Sequence, residues 1–287
     1  MSAVLKLVQG SQEWLDYRRT MRNASETPAV LGISPWATPY QLWLIKTGRS
    51  TQVVTQAMTH GTQLEPQARA AYEAQTGHVM NPLVMQDGLY SASLDGITLA
   101  GDLIVEVKCP FRGRQSKLWR EARDGNVPAY YAAQIQHQMM VSGASEAHLW
   151  VYVEDEGLLL TLLRDEAAMD AIRGAWDTFS LYLDGDNPPP LSEADSVQRD
   201  DPAWGEAAAA FVAAKRNADR AEEALDAARQ RLVDLAMHPR ETGGGVSVVR
   251  LWKAGNVDYK RIPELKGVDL DRYRGKGREE VRVTVAK

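Results

Sequence analysis

The sequence predicts a mixed α/β body, a central sheet flanked by helices, followed by a helical arm and a small β module. Strand-like alternation occurs in two places, at residues 90–108 and 148–163. Segments with apolar residues at helical spacing stand before, between and after these strand pairs. The composition then changes, first to a long Ala-rich stretch and then to a basic tail. We therefore divide the chain into a body at 1–198, a long helix at 199–238 and a basic β-containing module at 239–287.

Length and composition limit the size of the core and the kinds of site that the chain can contain. The 287 residues, 44% of them hydrophobic, are enough for one sizeable core and an appendage. The net charge of −5 does not by itself indicate nucleic-acid binding, and it is uneven, −7 in residues 1–199 and +5 in 238–287. The single cysteine, Cys109, excludes an internal disulfide framework and a four-cysteine metal site, and we expect it to be a small buried residue. Without a membrane-length apolar run or a signal peptide pattern, we expect a cytosolic protein.

Three helices are predicted before the first strand pair, at residues 11–23, 39–47 and 61–77. Ser11 is the expected N-cap of the first, and glycines end the other two. Arg18 and Ser25 are side chains that can hold a phosphate, although the same segment fits an amphipathic helix with a solvated basic end. Thr62 and Glu65 have the capping-box spacing, so Glu65 is either a helix cap or a functional carboxylate.

The segment from Ser91 to Pro110 carries the main chemical signal. Turn signals separate its two strand-like runs, and Glu106 and Lys108 fall on one face of the second run while its valines fall on the other. A hairpin would bring Asp95 close to Glu106 and Lys108. Two carboxylates hold hard divalent cations, and a neighbouring lysine can orient a water, which together favour metal-assisted hydrolysis of a phosphodiester. The alternative is an edge strand with solvated charges.

After this hairpin we predict a helix opened by Pro128 and stopped by Gly143, a β-hairpin at 148–163 and a helix at 165–183. Gln136 lies in a mostly apolar helix and needs polar partners, either in a site or across a helix interface. The basic residues between the hairpin and the Pro128 helix either touch a phosphate backbone or are solvated; they are Arg112, Arg114, Lys117 and Arg120.

The C-terminal part has a different pattern. From Phe211 onward, Ala, Leu and Phe recur at unbroken 3-4 spacing, which fits a coiled coil or a helix packed closely on the body or on a partner. Strands are predicted at 246–253 and 280–287, with a basic cluster at 272–278. This module either contacts nucleic acid or a protein partner, or presents a solvated surface.

Several motifs, taken in order, resemble the lambda exonuclease / YqaJ viral recombinase family. Its members are restriction-endonuclease-like nucleases of the PD-(D/E)xK fold. The similar residues span roughly 10–180; they are Trp14, Arg18, Ala24-Ser25-Glu26, Gly61, Glu65, Leu94-Asp95-Gly96, Glu106-Val107-Lys108-Cys109-Pro110-Phe111 and Ala133-Gln134-Ile135-Gln136. Leu94 departs from the family, because many members have Pro at that position.

The resemblance implies a role for each matching residue. Asp95, Glu106 and the backbone carbonyl of Val107 would hold Mg²⁺, and Glu65 would help to hold a second ion, with Mn²⁺ as a possible substitute. Lys108 would position and activate the attacking water with help from Gln136. The terminal 5′-phosphate of the degraded strand would be gripped by Arg18 and Ser25.

The resemblance also implies an activity. Family members are phage- or prophage-type enzymes that form a ring-shaped homotrimer, a toroid, around DNA. They digest one strand of a linear duplex from 5′ to 3′ and leave a 3′ overhang for a single-strand annealing protein. Two alternatives remain open: an endonuclease of the same fold, and a non-catalytic adaptor that binds DNA ends. Residues 200–287 exceed the lambda-type enzyme, so the resemblance assigns them no role.

Overall fold

The computed structural model describes residues 2–51 and 53–250, together with positions 262, 263 and 268. The chain divides into two compact units, Met1–Ser196 and Val197–Lys287. The strands of the first unit are β1 (Ala3–Leu5), β2 (Arg22–Asn23), β3 (Asn81–Asp87), β4 (Tyr90–Ile97), β5 (Leu103–Lys108), β6 (Glu146–Val153) and β7 (Glu156–Leu163). Its helices are α1 (Gln12–Thr20), α2 (Thr27–Val30), α3 (Pro39–Lys46), α4 (Gln56–Thr76), α5 (Lys117–Arg123), α6 (Ala129–Ser142) and α7 (Glu166–Asp184).

Local chemistry explains where the helices begin and end. The Ser11 hydroxyl accepts the Trp14 N–H at 3.2 Å and starts α1. The side chain of Asp165 caps α7 in the same way, and Gly143 ends α6 with a left-handed backbone. The prediction that α4 starts near residue 61 is wrong, because Thr55 is its N-cap and the helix continues through Pro66.

Six strands form one continuous path in the order β1-β3-β4-β5-β6-β7, and β2 adds a short parallel pair to β4. The β5–β6 pair is parallel and the other neighbours on the path are antiparallel. The predicted mixed α/β fold is confirmed. Strand β5 is interior, between β4 and β6, so the alternative of an edge strand with solvated charges is wrong.

Both faces of β5 are covered. Val105 and Val107 pack into one core with Ala68 and Tyr72 of α4. On the other face, Ile104 packs with residues of α6, among them Ile135 and Met139. The alternation of β5 therefore sends its valines toward α4, and it leaves Glu106 and Lys108 on the face that α6 covers.

The second unit contains α8 (Pro202–Leu235) and a hairpin of β8 (Arg240–Gly243) and β9 (Val246–Val249). Gly244 and Gly245 both have positive φ and form the turn of this hairpin. Strand β8 was not predicted from the sequence. The predicted strand at 280–287 and the basic cluster at 272–278 lie outside the described residues. Within the described ranges, no helix combines the length and the apolar character that crossing a lipid bilayer requires.

Candidate active site

Asp95 lies where β4 and β5 separate. The ladder between these strands pairs Gly96 with Val105 and Ile97 with Ile104, and it does not extend to Asp95. Beyond it, the Val107 N–H donates to Oδ2 of Asp95 at 2.8 Å. The Asp95 carboxylate thus replaces a backbone carbonyl as the acceptor of the Val107 N–H, and this hydrogen bond fixes the carboxylate beside β5.

Asp95, Glu106, Lys108 and Glu65 form the acidic cluster of the candidate site. Glu106 is its most buried carboxylate, with 2% of the residue's surface exposed. Lys108 pairs with its Oε1, which also accepts the side-chain amide of Gln134 at 2.6 Å. Its Oε2 accepts the amide of Gln138 at 2.6 Å. A buried carboxylate needs such compensation, since an unpaired one would be protonated. Because a carboxylate oxygen has about two lone pairs, Oε2 retains one for a further donor or a cation.

Lys108 reaches the same cluster from β5. Its Nζ pairs with Glu106 and lies 5.2 Å from the centroid of the Tyr131 ring. Burial acts to lower the pKa of Lys108, but the nearby negative charges outweigh it, Glu106 first among them, and the net shift of the pKa is upward. Lys108 is therefore an ammonium in this arrangement, and it donates hydrogen bonds.

Glu65 approaches from α4, and its partner is Arg69. The Arg69 guanidinium donates to Glu65 Oε1 and to the Asp95 carbonyl, both at 3.1 Å. The alternative that Glu65 caps a helix is wrong, because Thr62 lies inside α4 and bonds the Met58 carbonyl instead. The sequence reading missed Arg69, which stands four residues after Glu65 on the same helix face.

Gln136 does not join this cluster. Its side-chain amide donates to the Leu163 carbonyl at 2.7 Å and accepts the Asp165 N–H at 2.9 Å. This placement corrects the prediction that Gln136 assists Lys108, and the reason is helix geometry. Residues two apart on a helix point to nearly opposite sides, whereas Gln134 and Gln138 are four apart and share a side. The Gln134–Gln138 spacing was the signal available in the sequence.

The acidic cluster fits a hard cation. The pKa of Asp95 is raised well above its usual range, first by burial and then by the charges of Glu106 and Glu65. Within the part of the chain that the structure describes, no three His, Cys, Asp or Glu side chains lie close enough together to hold an ion alone. Mg²⁺ does not need such a cage, since it binds through one or two carboxylates, waters and substrate phosphates. Asp95 and Glu106 can supply those carboxylates.

Arg18 and Ser25 lie together, as a shared phosphate site requires. The Arg18 guanidinium donates to the Ser25 hydroxyl at 2.9 Å and stacks on Trp14, 4.5 Å from its ring centroid. Glu26 accepts from Arg18 at 3.4 Å and from the buried ammonium of Lys46 at 2.6 Å. Glu26 thus holds Arg18 in place without consuming all of its donors.

Two of the basic residues that follow β5 form exposed ion pairs. The Arg114 guanidinium pairs with Glu154 at 3.5 Å and with Glu156 at 2.7 Å, at the β6–β7 turn. Lys117 pairs with Glu121 on α5. Cys109 is buried, as expected, and burial raises the pKa of its thiol to about 11, so that it is protonated at neutral pH.

Comparison with solved structures agrees with this fold. The fold is that of the alkaline exonuclease structures: LHK-Exo from Laribacter hongkongensis superposes with a TM-score of 0.53 at 25% identity, over 61% of this chain and 94% of that one. The complex of LHK-Exo with dAMP superposes with a TM-score of 0.52 at 23% identity, with the same coverage.

The sequence comparisons add a match to a known domain over part of the chain. Residues 13–145 match the YqaJ-like viral recombinase domain, so the resemblance seen in the sequence motifs is confirmed for this segment. A curated relative, the uncharacterized protein YqaJ of Bacillus subtilis (strain 168), is 28% identical over 138 residues, which cover 46% of this chain. The alignment spans 42% of the length of that relative.

Proposed function

We propose that the protein is a Mg²⁺-dependent exonuclease that degrades one strand of linear double-stranded DNA from 5′ to 3′. The observation that carries the proposal is the convergence of Asp95, Glu106 and Lys108 at the point where β4 and β5 separate. The YqaJ-like domain and the fold shared with alkaline exonuclease structures support the same reaction class. We further propose that the 3′ overhang serves a single-strand annealing protein in phage-type recombination in the bacterial cytosol.

Each residue of the site has its own proposed role in the reaction. Asp95, Glu106 and the Val107 carbonyl would hold one Mg²⁺ and Glu65 would help with a second; bound there, the ions would polarise the phosphodiester and lower the pKa of the attacking water. Lys108 orients that water and stabilises the negative charge that develops on the phosphate. Gln134 and Gln138 keep the Glu106 carboxylate oriented through their amide hydrogen bonds.

The Arg18–Ser25 pair accounts for the choice of strand end. A terminal 5′-phosphate carries negative charge and several acceptor oxygens, which a guanidinium and a hydroxyl can bind together. Trp14 holds the Arg18 side chain by stacking, so less side-chain entropy is lost on binding. Binding of the phosphate by Arg18 and Ser25 would favour phosphorylated ends.

A homotrimeric ring would retain DNA despite the net charge of −5, because only its channel need be positive.

Digestion of labelled linear duplexes tests this proposal. One set of duplexes carries a radiolabelled 5′-phosphate. The other set carries the label at the 3′ end, with and without a 5′-phosphate, and both sets are digested in Mg²⁺ and in chelator. We expect immediate release of the 5′ label, progressive shortening of the 3′-labelled strand, faster turnover of phosphorylated ends and no reaction in chelator.

Controls separate the alternatives. Asp95→Asn should abolish the reaction, whereas Asp124→Asn, which changes an exposed acid outside the cluster, should leave it intact. A covalently closed plasmid should survive. Cleavage of the plasmid would identify an endonuclease, and binding of ends without any hydrolysis would identify an adaptor. Full activity of Asp95→Asn would remove the cluster from the reaction.

A further inference from the structure

Helix α8 has a complete heptad seam, and within the described residues no side chain of this seam is buried. No residue of this 34-residue helix is buried. Large apolar side chains recur every seven residues from Trp204, with Ala218 interrupting the series; they are Trp204, Phe211, Leu225 and Leu232. With Ala218 included, the series has five positions, and a second apolar residue follows each of them by three residues. These second residues are Ala207, Ala214, Ala221, Ala228 and Leu235. Trp204 is 52% exposed and Leu225 is 58% exposed, which is costly for side chains of this size.

We propose that α8 pairs with α8 of a second copy of this chain as an antiparallel two-helix coiled coil. In an antiparallel pair, the first position of each heptad packs against the fourth position of the partner helix. Centring the pair between Ala218 and Ala221 places Phe211 opposite the partner's Ala228 and Leu225 opposite the partner's Ala214. Three of the five layers thus set a large side chain against an alanine, which is how close-packed cores are filled.

A parallel pair does not fit the same seam. It would place Trp204 against Trp204 and Phe211 against Phe211 of the partner, with Ala–Ala layers between them. Layers that alternate between oversized and undersized cannot keep one interhelical distance along the helix without strain or voids. The alternation of large and small residues therefore specifies the antiparallel orientation.

Charge fixes the register of the antiparallel pair. In the centred register, Lys215 lies beside Glu222 of the partner, and by two-fold symmetry this contact occurs twice. The ammonium of Lys215 already bonds Asp219 on its own helix at 2.5 Å, and it has two further donors. Sliding the helices by one heptad in one direction sets Lys215 against Lys215 of the partner, and in the other direction it sets Glu222 against Glu222. Both displaced registers pair like charges, which is unfavourable.

The contact is a property of the second unit and does not depend on the proposed nuclease reaction. Its two-fold symmetry would join copies in pairs, whatever assembly the first unit forms. The mass of the assembly is therefore expected to be at least twice that of a variant whose α8 cannot pair.

Light scattering of the full chain measures that mass. Leu225→Glu places a charge in the seam and should lower the mass at least twofold, while Ala209→Glu adds the same charge on the opposite side of α8 and should leave the mass unchanged. Both substitutions lie on an exposed helix, so the first unit stays folded. An equal mass for the wild-type chain and Leu225→Glu, across micromolar concentrations, would overturn the proposal.

Cysteine cross-linking tests the orientation. The double variant F211C/A228C should form a disulfide-linked dimer on mild oxidation, whereas F211C alone and A228C alone should not, because each cysteine faces an alanine or a phenylalanine. The only native cysteine, Cys109, is buried, and the wild-type chain serves as the background control. Cross-linking of F211C alone would indicate a parallel pair and contradict the proposal.

Charge reversal tests the register. Lys215→Glu and Glu222→Lys should each weaken pairing by roughly three- to tenfold in Kd, and the double reversal should restore it. Restoration is not expected if the two residues act only on their own helix. Failure of the double variant to recover would exclude the centred register.

Discussion

Glu106 lies at a position that water hardly reaches, with 2% of its surface exposed. Three donors compensate its carboxylate: the ammonium of Lys108 and the amides of Gln134 and Gln138. Removing any one of them leaves a buried charge under-satisfied, and this costs more than an exposed hydrogen bond would. The carboxylate is therefore rigid before any substrate arrives.

Lys108 is the residue whose loss separates binding from turnover. With Lys108→Ala we expect DNA binding to be retained and kcat to fall by a factor of roughly 10² or more, the scale of assistance to proton transfer and charge development. Single-turnover digestion in Mg²⁺, beside an equilibrium binding assay, measures the two effects. Unchanged cleavage by this variant would remove Lys108 from the site.

The three glutamines of α6 give a matched comparison. Gln134→Ala removes a charge-assisted hydrogen bond to Glu106, and we expect turnover to fall by roughly one to two powers of ten. Gln136→Ala removes the link between the Leu163 carbonyl and the Asp165 N–H, so it should cost about 1–3 kcal/mol of folding stability and leave kcat near that of the wild type. Urea unfolding and initial rates on both variants decide this. The reverse pattern would place Gln136 in the site.

At the scale of elements, α1 and α3 together hold the Arg18–Ser25 site. Lys46 of α3 donates to the carbonyls of Arg18 and Met21 at 2.8 and 2.6 Å, so it secures the C-terminal end of α1. Burial is the main influence on Lys46 and lowers its pKa, while the Glu26 carboxylate opposes that effect. This ion pair fixes α1 relative to the short turn that carries Ser25.

Neighbouring arginines of α1 test the phosphate site. Arg18→Ala should reduce the preference for a 5′-phosphorylated end by roughly tenfold or more, because one charge-assisted contact is lost. Stability should change little, since Glu26 keeps its pair with Lys46. Arg19 is exposed on the same helix and serves as the control: Arg19→Ala should keep the preference. An equal loss in both variants would indicate a general charge effect.

At the scale of the whole molecule, a histidine in the core predicts that the stability of the body depends on pH. His137 is fully buried, and its Nδ1 lies 2.6 Å from the Thr27 hydroxyl, which also accepts the Trp176 indole N–H at 3.0 Å. Burial lowers the pKa of His137 to about 3. The helices α2, α6 and α7 thus meet around an imidazole that must stay neutral.

The sign of the pH dependence follows from this shift. An unfolded histidine has a pKa near ~6.5, so below that pH the unfolded state binds a proton that the folded state does not, until pH reaches about 3. His137 therefore contributes stability above about pH 6.5 and loses it as pH falls, by up to about 1.4 kcal/mol per pH unit. Urea unfolding at pH 7.5, 6.5 and 5.5 should show this slope, and His137→Gln should flatten it. Parallel slopes in both proteins would refute the assignment.

The amino-acid sequence determined the features that depend on neighbours along the chain. Alternation on β5 placed Glu106 and Lys108 on one face, Ser11 marked where α1 begins, and the ordered motifs indicated the resemblance to the YqaJ-like domain. These signals are local, because strand and helix periods are set by backbone geometry.

Only the tertiary structure decided which side chains meet. Glu106 contacts Gln138, 32 positions away, because α6 packs across the sheet, and the same packing turns Gln136 toward Asp165. Thr62 and Glu65 have the spacing of a capping box, yet α4 begins at Gln56, so both residues lie inside the helix. Glu65 therefore accepts a hydrogen bond from Arg69 instead of capping a helix end. Local spacing cannot fix such contacts, because they depend on how distant elements are oriented once apolar surface is buried.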